Sequence, residues 1–260
     1  MHMRPTLIEV YNRLLILKHV VVYALSNPPE NILLEVSAQW TKQDKDDYDK
    51  SSKERSHKQR ALLKQVGMWQ HITSQERNFL ESFGFGIKQK QIVDASWKAE
   101  SAVVLMWALG WVENFPKMDE EVDPDILKSF DGTKKVDALQ LRPFEEIEKK
   151  RELMESWHWR VRTKQLIDSN FKFSPPEAMK KDGIQTLDDV VKLAAKIRYE
   201  QGDLPKIIDE DYVFLGKPFR TLQTGEVALA QSIICERHFA LNWLCGMAPK
   251  NEWDKTPTNT

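Results

Sequence analysis

The chain has 260 residues, of which 41% are hydrophobic and 30% are charged, as in ordinary globular proteins. Lys and Arg total 38 against 39 Asp and Glu, so the balanced charge gives no general attraction to nucleic acid or to an anionic membrane. The apolar stretch of residues 14–25 is too short to span a bilayer and contains Lys18 and His19. These features predict a cytoplasmic protein that partners neither nucleic acid nor membrane.

The two cysteines, Cys235 and Cys245, are ten residues apart. On one helix they would lie about 15 Å apart along the axis, which is beyond the reach of a disulfide. We therefore expect two free thiols, which suits a reducing compartment.

The first half of the chain predicts a series of helices. Residues 7–25 are apolar on nearly every helical phase, which favours a buried helix, although residues 20–23 also fit a strand. Residues 95–113, with Asp94 as a cap, carry no charge from Ser101 to Val112 and are the candidate for the central helix. Further helices are predicted over residues 30–40, over residues 41–66 with Gly67 as the stop, and over residues 73–83 from the capping box Thr73-Ser74-Gln75-Glu76.

The second half is also predicted to be helical, with one long irregular stretch over residues 202–223 that is compatible with a small hairpin near Tyr212. The other predicted features are a cap and proline start at Asp123-Pro124, a helix from Arg142-Pro143 to about residue 168, a break at Pro175-Pro176, a helix over residues 186–202, and a final helix that Thr224 caps. The pattern as a whole predicts an all-α, mainly helical fold. The same pattern predicts that residues 1–260 form a single compact multi-helix domain, with a central buried helix and a long irregular loop before the last helix.

The last helix carries one charged cluster, Glu236-Arg237-His238, inside the nearly uncharged run of residues 227–249. A helix that is buried on most sides rarely tolerates charges unless they are paired. At 100° per residue the three side chains point in different directions, so their partners must come from other helices, and His238 shares a face with Asn242. The cluster predicts either buried ion pairs with a hydrogen-bonded core histidine, or a polar functional site.

Glu100, on the central helix, is a candidate partner for this cluster. It shares a helical stripe with Trp107 and Trp111, and a carboxylate on such a face is either paired with a cation or has a raised pKa. The candidate polar residues are Glu100, Arg142, Arg160, Glu236, Arg237, His238 and Asn242. The tryptophans that line a groove, unless they belong to the core, are Trp97, Trp107, Trp111, Trp157, Trp243 and Trp253.

Several kinds of site have no motif in this sequence. There is no His-x-x-x-His or Cys-x-x-Cys spacing for a metal, and the acidic run of residues 119–125 lacks the glycine and closing Glu of a calcium loop. There is no Gly-x-Ser-x-Gly elbow, and Lys217 beside Gly216 lacks the spacing of a phosphate loop. The sequence therefore predicts no metal site and no cofactor.

Three segments together carry a resemblance to a known family. They are Ser96-Trp97-Lys98-Ala99-Glu100 continued through residues 105–110, Leu141-Arg142-Pro143 with Trp157-His158-Trp159-Arg160, and Glu236-Arg237-His238-Phe239 continued through Trp253-Asp254 to the closing Thr-Pro-Thr-Asn-Thr. Over about residues 55–260 the chain resembles the mainly bacterial domain of unknown function 4272 family. The resemblance implies a shared helical fold, a bacterial source and no particular activity. It leaves residues 1–54 as an N-terminal helical extension packed on that fold. Lys98 stands where we expect Arg in the family pattern, and Asn259 stands where we expect Asp.

The balanced charge, the abundant tryptophan and the missing motifs favour a binding or interaction protein. Its Trp-lined groove would hold a small molecule, a peptide or a partner helix, and it would open near Trp107, Trp111, Trp157 or Trp243. The alternative is a metal-independent enzyme in which Glu100 or Glu236 and His238 perform acid–base chemistry while an arginine holds an anionic small-molecule substrate. That alternative requires Glu100, His238 and an arginine to meet in one pocket that reaches solvent.

Trp253-Asp254 lies close to the end of the chain, where disorder is the usual expectation. A tryptophan in this position indicates that the C-terminal tail docks back onto the body of the protein, with Trp253 as its anchor.

Overall fold

The computed structural model describes residues 4–130 and 139–258, and these residues are mainly helical. The α-helices are α1 (Leu7–Leu25), α2 (Glu30–Ser37), α3 (Lys42–Gln65), α4 (Ser74–Glu81), α5 (Gln89–Ala108), α6 (Phe144–Asp168), α7 (Glu177–Lys181), α8 (Leu187–Glu200) and α9 (Thr224–Leu244). Short 3-10 helices lie at Trp69–His71, Gly84–Gly86, Pro124–Lys128, Phe219–Thr221, Pro249–Asn251 and Trp253–Lys255.

The stretch before α9 contains a small antiparallel sheet. Its strands are β1 (Ile207–Ile208), β2 (Asp211–Phe214) and β3 (Lys217–Pro218), with β2 in the middle. Ile207 lies opposite Tyr212, and Val213 lies opposite Pro218. The hairpin near Tyr212 is therefore confirmed, within a fold whose mainly helical class is also confirmed.

Threonine caps set the start of several helices. In each case the threonine hydroxyl accepts the backbone N–H three residues later, and the acidic residue at that position accepts the threonine N–H, which satisfies two otherwise unpaired donors. The pairs are Thr6 with Glu9, Thr41 with Asp44, Thr73 with Glu76, and Thr186 with Asp189. The capping box predicted at Thr73 is confirmed.

Some predicted boundaries were wrong. α5 begins at Gln89, so Asp94 lies inside the helix rather than at its cap. It ends at Ala108 because Gly110 takes a left-handed backbone (φ 66), which terminates the helix before Glu113. Residues 20–23 are helical and not a strand, and Gln223 rather than Thr224 caps α9.

α5 is central, as predicted: it packs against α1 on one side and α9 on the other. α9 in turn packs against α6, so these four helices lie side by side in the order α1, α5, α9, α6. The main hydrophobic cluster extends along this series and includes Leu14, Trp107, Trp157 and Leu241. A second cluster joins α1 to α3, α4 and the start of α5. Because α5 and α9 are covered on two sides, any polar side chain on them needs an internal partner.

Candidate functional site

Arg237, from the charged cluster of α9, forms a buried ion pair with Glu100 of α5. Its Nε and Nη2 both lie 2.7 Å from Glu100 Oε2, and the two side chains are almost completely buried. The guanidinium also donates to the carbonyls of Lys117 at 2.5 Å and Glu120 at 2.8 Å, while the Val122 amide donates to Glu100 Oε1 at 2.8 Å. Burial raises the pKa of Glu100, and Arg237 partly opposes that rise. The pair fixes the loop that follows α5 to α9.

Glu236 makes a separate contact on another side of α9. Its carboxylate lies 2.7 Å from Lys98 Nζ and accepts the Ser101 hydroxyl at 2.7 Å. This pair is partly exposed, so it contributes less than about 1 kcal/mol to stability. It links α9 to α5 a second time.

His238 is buried, faces α6 and lies in a row of neutral groups with the half-buried His158 and Cys235. Its Nδ1 is 2.9 Å from His158 Nδ1, and His158 Nε2 is 3.3 Å from Cys235 Sγ. Burial, His158 and Arg151 lower the pKa of His238 to about 3, and burial raises the pKa of the Cys235 thiol to about 11. Burial, together with Arg162, also lowers the pKa of His158. Both rings are therefore neutral at pH 7, and one Nδ1–H donates to the other Nδ1 while the thiol keeps its proton. This row joins α6 to α9 as a structural contact.

The His238 pair makes stability depend on pH. The folded-state pKa of His238, about 3, lies below its unfolded value near 6.5. Between these two pH values the unfolded chain therefore binds more protons than the folded chain. The free energy of unfolding should therefore fall by about 2 to 3 kcal/mol between pH 6.5 and 4.5 because of this group. Denaturant unfolding of wild type and His238→Gln across this range measures the difference. His57→Gln, at an exposed position of α3, is the control. Parallel pH profiles for wild type and His238→Gln would contradict the expectation.

Arg142 and Arg160 also have internal partners. Arg142 caps the C-terminal end of α5, because its side chain donates to the carbonyls of Trp107 at 2.8 Å and Glu113 at 2.7 Å. Arg160 makes a fully buried two-point pair with Asp211 of β2, with both N–O distances 2.7 Å. Burial alone would raise the pKa of Asp211, but the Arg160 hydrogen bonds and charge outweigh it and the pKa is lowered.

Four of the predicted groove tryptophans are buried: Trp107, Trp157, Trp243 and Trp253. Trp107 packs edge-on against Phe115, and Trp157 packs against Tyr212 of the small sheet. Trp97 and Trp111 are half-buried against the main cluster. The tryptophan stripe of α5 therefore belongs to the core. Trp243 and Trp253, the two tryptophans nearest the C-terminus, lie where the tail meets the body of the protein.

The C-terminal tail docks on the body of the protein, and the predicted anchor is confirmed. Trp253 is buried and packs edge-on against Trp243 at 5.1 Å and Phe239 at 4.8 Å between ring centroids. Asn242 Nδ2 donates to the Pro257 carbonyl at 2.8 Å, so the tail is held on both sides of Trp253. Asn259 lies outside the described residues.

A groove of about 370 Å³, here called the tail groove, lies between α1, residues 71–73 and the docked residues 251–254. Trp243 and Trp253 line it, and Arg13 of α1 fixes one wall. Arg13 donates to both carboxylate oxygens of Glu76 at 2.8 and 3.0 Å and to the His71 carbonyl at 3.1 Å. Its guanidinium carbon lies 5.2 Å from the Trp253 ring centroid. The groove therefore combines an aromatic surface with a rigid polar wall.

The backbone of the tail is strained where it meets this groove. Lys250 and Asn251 both have a left-handed conformation, with φ of 53° and 58°. Two successive non-glycine residues in that region cost free energy, of order 1 kcal/mol each, and such strain concentrates at functional sites. The conformation places the Asn251 carbonyl 3.0 Å from Trp243 Nε1, which donates to it. Asn251 Oδ1 is buried and has no hydrogen-bond partner among the described residues.

The comparisons with known proteins give one match. The sequence family described as domain of unknown function (DUF4272) matches residues 2–175, about two thirds of the chain. The chain belongs to the DUF4272 family. Neither the curated proteins nor the solved structures contain a match to it.

In this DUF4272 protein the matched residues 2–175 include α1 to α6 and end before α7. They contain two of the three segments on which the resemblance rested, and the segment around Glu236 lies beyond them. Helix α9 therefore lies outside the matched residues, although it packs on α5 and α6, which lie within them.

Several residues that complete these contacts were not predicted from the sequence. His158 and Cys235 were recognised separately but not as neighbours, and Asp211 and Arg13 were not identified as buried charges. A charged Arg13 inside the apolar run of α1 was the one available signal, since such a charge needs a partner. Asn251 carries no local signal of its role.

Two further findings concern the described residues. No group of three or more His, Cys, Asp or Glu side chains there is arranged to hold a metal ion, and no helix there has the length and apolar character to cross a membrane. Glu100 of α5 pairs with Arg237 of α9, whereas His238 of α9 pairs with His158 of α6, and Glu100 and His238 share no contact within this part of the chain. The convergence that the enzyme interpretation required is absent from the described residues.

Proposed function

We propose that this DUF4272 protein is a cytoplasmic binding protein whose site for a small ligand is the tail groove. The observation that carries the proposal is that the docked tail, with its left-handed backbone at Lys250 and Asn251, forms one wall of a groove of about 370 Å³ that Arg13, Trp243 and Trp253 also line. A volume of this size suits a small molecule or a single side chain. The two free thiols support a reducing compartment.

A second groove, of about 480 Å³ between α6 and α8, provides a built-in comparison. Trp159 and Ile197 line it, and its charged residues Glu155 and Arg198 are each engaged by a neighbour on the protein. It offers apolar area but no strained backbone segment. We therefore favour the tail groove as the binding site.

A thermal-shift screen of small cationic, anionic and neutral fragments tests the proposal. We expect fragments that bind to raise the melting temperature of wild type by a few degrees, because a ligand that binds only the folded state stabilises it. Asn12→Trp fills the tail groove from the half-buried face of α1 and should abolish these shifts.

Ala194→Trp is the matched control, because it places the same side chain in the groove between α6 and α8. Both variants are first checked for a wild-type melting temperature without fragments. Fragment shifts that persist in Asn12→Trp and disappear in Ala194→Trp would place the site in the other groove and contradict the proposal.

A further inference from the structure

The charged side chains of α3 make no ion pair with any other residue that the structure describes. Several charges of α6, by comparison, are paired along that helix, as in Arg151 with Glu155. α3 contacts the rest of the protein through one side, on which lie its buried residues Ser52, Ser56, Gln59 and Leu63. The charges on its other side are therefore available to a partner.

The outward side of α3 follows a seven-residue repeat. The exposed positions opposite the buried side recur at alternating steps of four and three residues, and they are Gln43, Asp47, Lys50, Glu54, His57 and Ala61. This spacing keeps the side chains in line along one side of a helix, over about 27 Å, and it is the spacing at which two helices pack side by side. Lys53 lies beside this stripe but turns away from it, with its Nζ 5.6 Å from the Phe83 ring centroid.

The centre of the stripe is complementary in charge to its own reverse. When two copies of α3 lie antiparallel with Ser52 at the centre, Lys50 of each copy lies opposite Glu54 of the other copy. Parallel packing would instead place Lys50 opposite Lys50 and Glu54 opposite Glu54, which brings like charges together. The order of charges in the stripe therefore favours an antiparallel pair of helices.

The two sides of the stripe fit the same antiparallel arrangement. On one side Asp47 faces Lys58 of the second copy, and on the other side Asp46 faces His57, whose ring can donate a hydrogen bond to the carboxylate. Asp47 Oδ1 accepts from Gln43 Nε2 at 3.0 Å, and its second oxygen is left for the partner. A twofold axis makes each of these contacts twice, as it does the contact at the centre.

This pattern selects a second copy over other charged partners. A nucleic acid or another polyanion would be attracted by Lys50 and Lys58 but repelled by Asp46 and Asp47 in the N-terminal half of the same surface. The partner must carry both signs of charge in the reverse order along about 27 Å, and the antiparallel copy of α3 does so. Because each copy uses the same face, the arrangement closes as a dimer.

We infer that α3 is the interface of a homodimer in which two copies of the chain pair through antiparallel α3 helices. None of the described residues that line the tail groove belongs to α3, so this inference is independent of the proposed function. Exposed ion pairs are individually weak, but several of them form one network here. The dimer should therefore form at high protein concentration and weaken as salt is added.

Sedimentation equilibrium of the full chain tests this inference. We expect a monomer–dimer equilibrium whose Kd rises at least about 10-fold between about 50 and about 500 mM NaCl, because salt screens exposed charges. A chain that stays monomeric in low salt at protein concentrations up to about 1 mM would overturn the inference.

Charge reversal at the centre of the stripe tests the antiparallel pairing. Lys50→Glu makes the centre acidic in both copies and Glu54→Lys makes it basic, so each variant should associate with itself at least about 10-fold more weakly than wild type. The two variants should form a heterodimer when they are mixed. The double variant Lys50→Glu with Glu54→Lys should recover the wild-type Kd within about 3-fold, because opposite charges again face each other.

Lys196→Glu and Glu200→Lys are the matched controls, because these two exposed residues have the same order and spacing on α8. Each control should leave the Kd unchanged. A dimer that persists unchanged in Lys50→Glu and Glu54→Lys, or that the α8 controls weaken equally, would overturn the inference. So would the absence of a heterodimer in the mixture of the two α3 variants.

Discussion

A chain that ends at Pro175 should not unfold cooperatively, although it contains the whole region that matches the DUF4272 family. In the intact protein α6 packs mainly against α9, and α9 also covers one side of α5. Without α9, the buried residues Trp107 on α5 and Met154 and Trp157 on α6 lose a covering layer. α9 also takes with it its own buried Ile233, Ile234, Leu241 and Leu244. At about 1.5 to 3 kcal/mol for each buried side chain, their loss is as large as the roughly 5 to 15 kcal/mol by which domains are typically stable.

Differential scanning calorimetry of residues 1–175 beside the full chain measures this expectation, and we expect no unfolding peak for the fragment. A chain shortened only after Thr258 is the control and should melt like the full protein. A further arm expresses residues 1–175 and 176–260 as two chains, which should associate and restore the peak. A cooperative transition for residues 1–175 alone would contradict the view that all 260 residues form one folding unit.

Replacing Arg237 with Met should cost about 3 to 5 kcal/mol of unfolding free energy at pH 7, because it leaves the Glu100 carboxylate buried without its cation. It also frees the Lys117 and Glu120 carbonyls that hold the loop after α5. Urea denaturation monitored by tryptophan fluorescence gives this free energy. The cost should shrink at lower pH, where Glu100 takes up a proton and the buried charge disappears.

Two companion variants separate the buried charge from simple loss of packing. Lys98→Met breaks the partly exposed pair with Glu236 on the same two helices and should cost less than about 1 kcal/mol. The double variant Glu100→Gln with Arg237→Met should be more stable than Arg237→Met alone, since no charge remains buried. A cost below about 0.5 kcal/mol for Arg237→Met, the range of ordinary surface changes, would refute the structural role of the pair.

Local sequence signals predicted much of the fold because they reflect local hydrogen bonding. Thr73 with Glu76 predicted a helix start that the structure confirms, and the uncharged run after Ser101 identified the central helix. Asp94 was misassigned because an aspartate before an apolar run fits a cap, whereas α5 had already begun at Gln89. No local signal contradicted the wrong choice.

The partners of the charged cluster could not be predicted in the same way. Helical periodicity indicated that Glu236, Arg237 and His238 point in different directions, but their partners Lys98, Glu100 and His158 lie 80 to 138 residues away in the chain. Only the packing of α9 between α5 and α6 brings them together. Nothing in a single sequence shows which distant segments pack against each other.

The residues of the candidate site, too, could be predicted only where a local sequence signal exists. Trp253 was predicted to anchor the tail, because a tryptophan near a chain end is costly to expose, and the structure confirms it. The groove beside Trp253 is also lined by Asn12 and Arg13 of α1 and by residues 71–73. Nothing in the sequence indicates that these segments lie near the tail. Asparagine adopts the left-handed region more readily than other non-glycine residues, so residue type is compatible with this backbone at Asn251 and gives no indication of it at Lys250.

The most direct test of the tail groove as a ligand site is an NMR titration that follows the indole N–H signals of the nine tryptophans during addition of the fragments that raise the melting temperature. Trp243 Nε1 donates to the Asn251 carbonyl at the edge of the groove, so its signal should move first and most, together with that of Trp253. The signals of buried Trp107 and Trp157 should stay in place. Movement confined to Trp159, or no movement of any indole signal at millimolar concentrations of these fragments, would contradict the account.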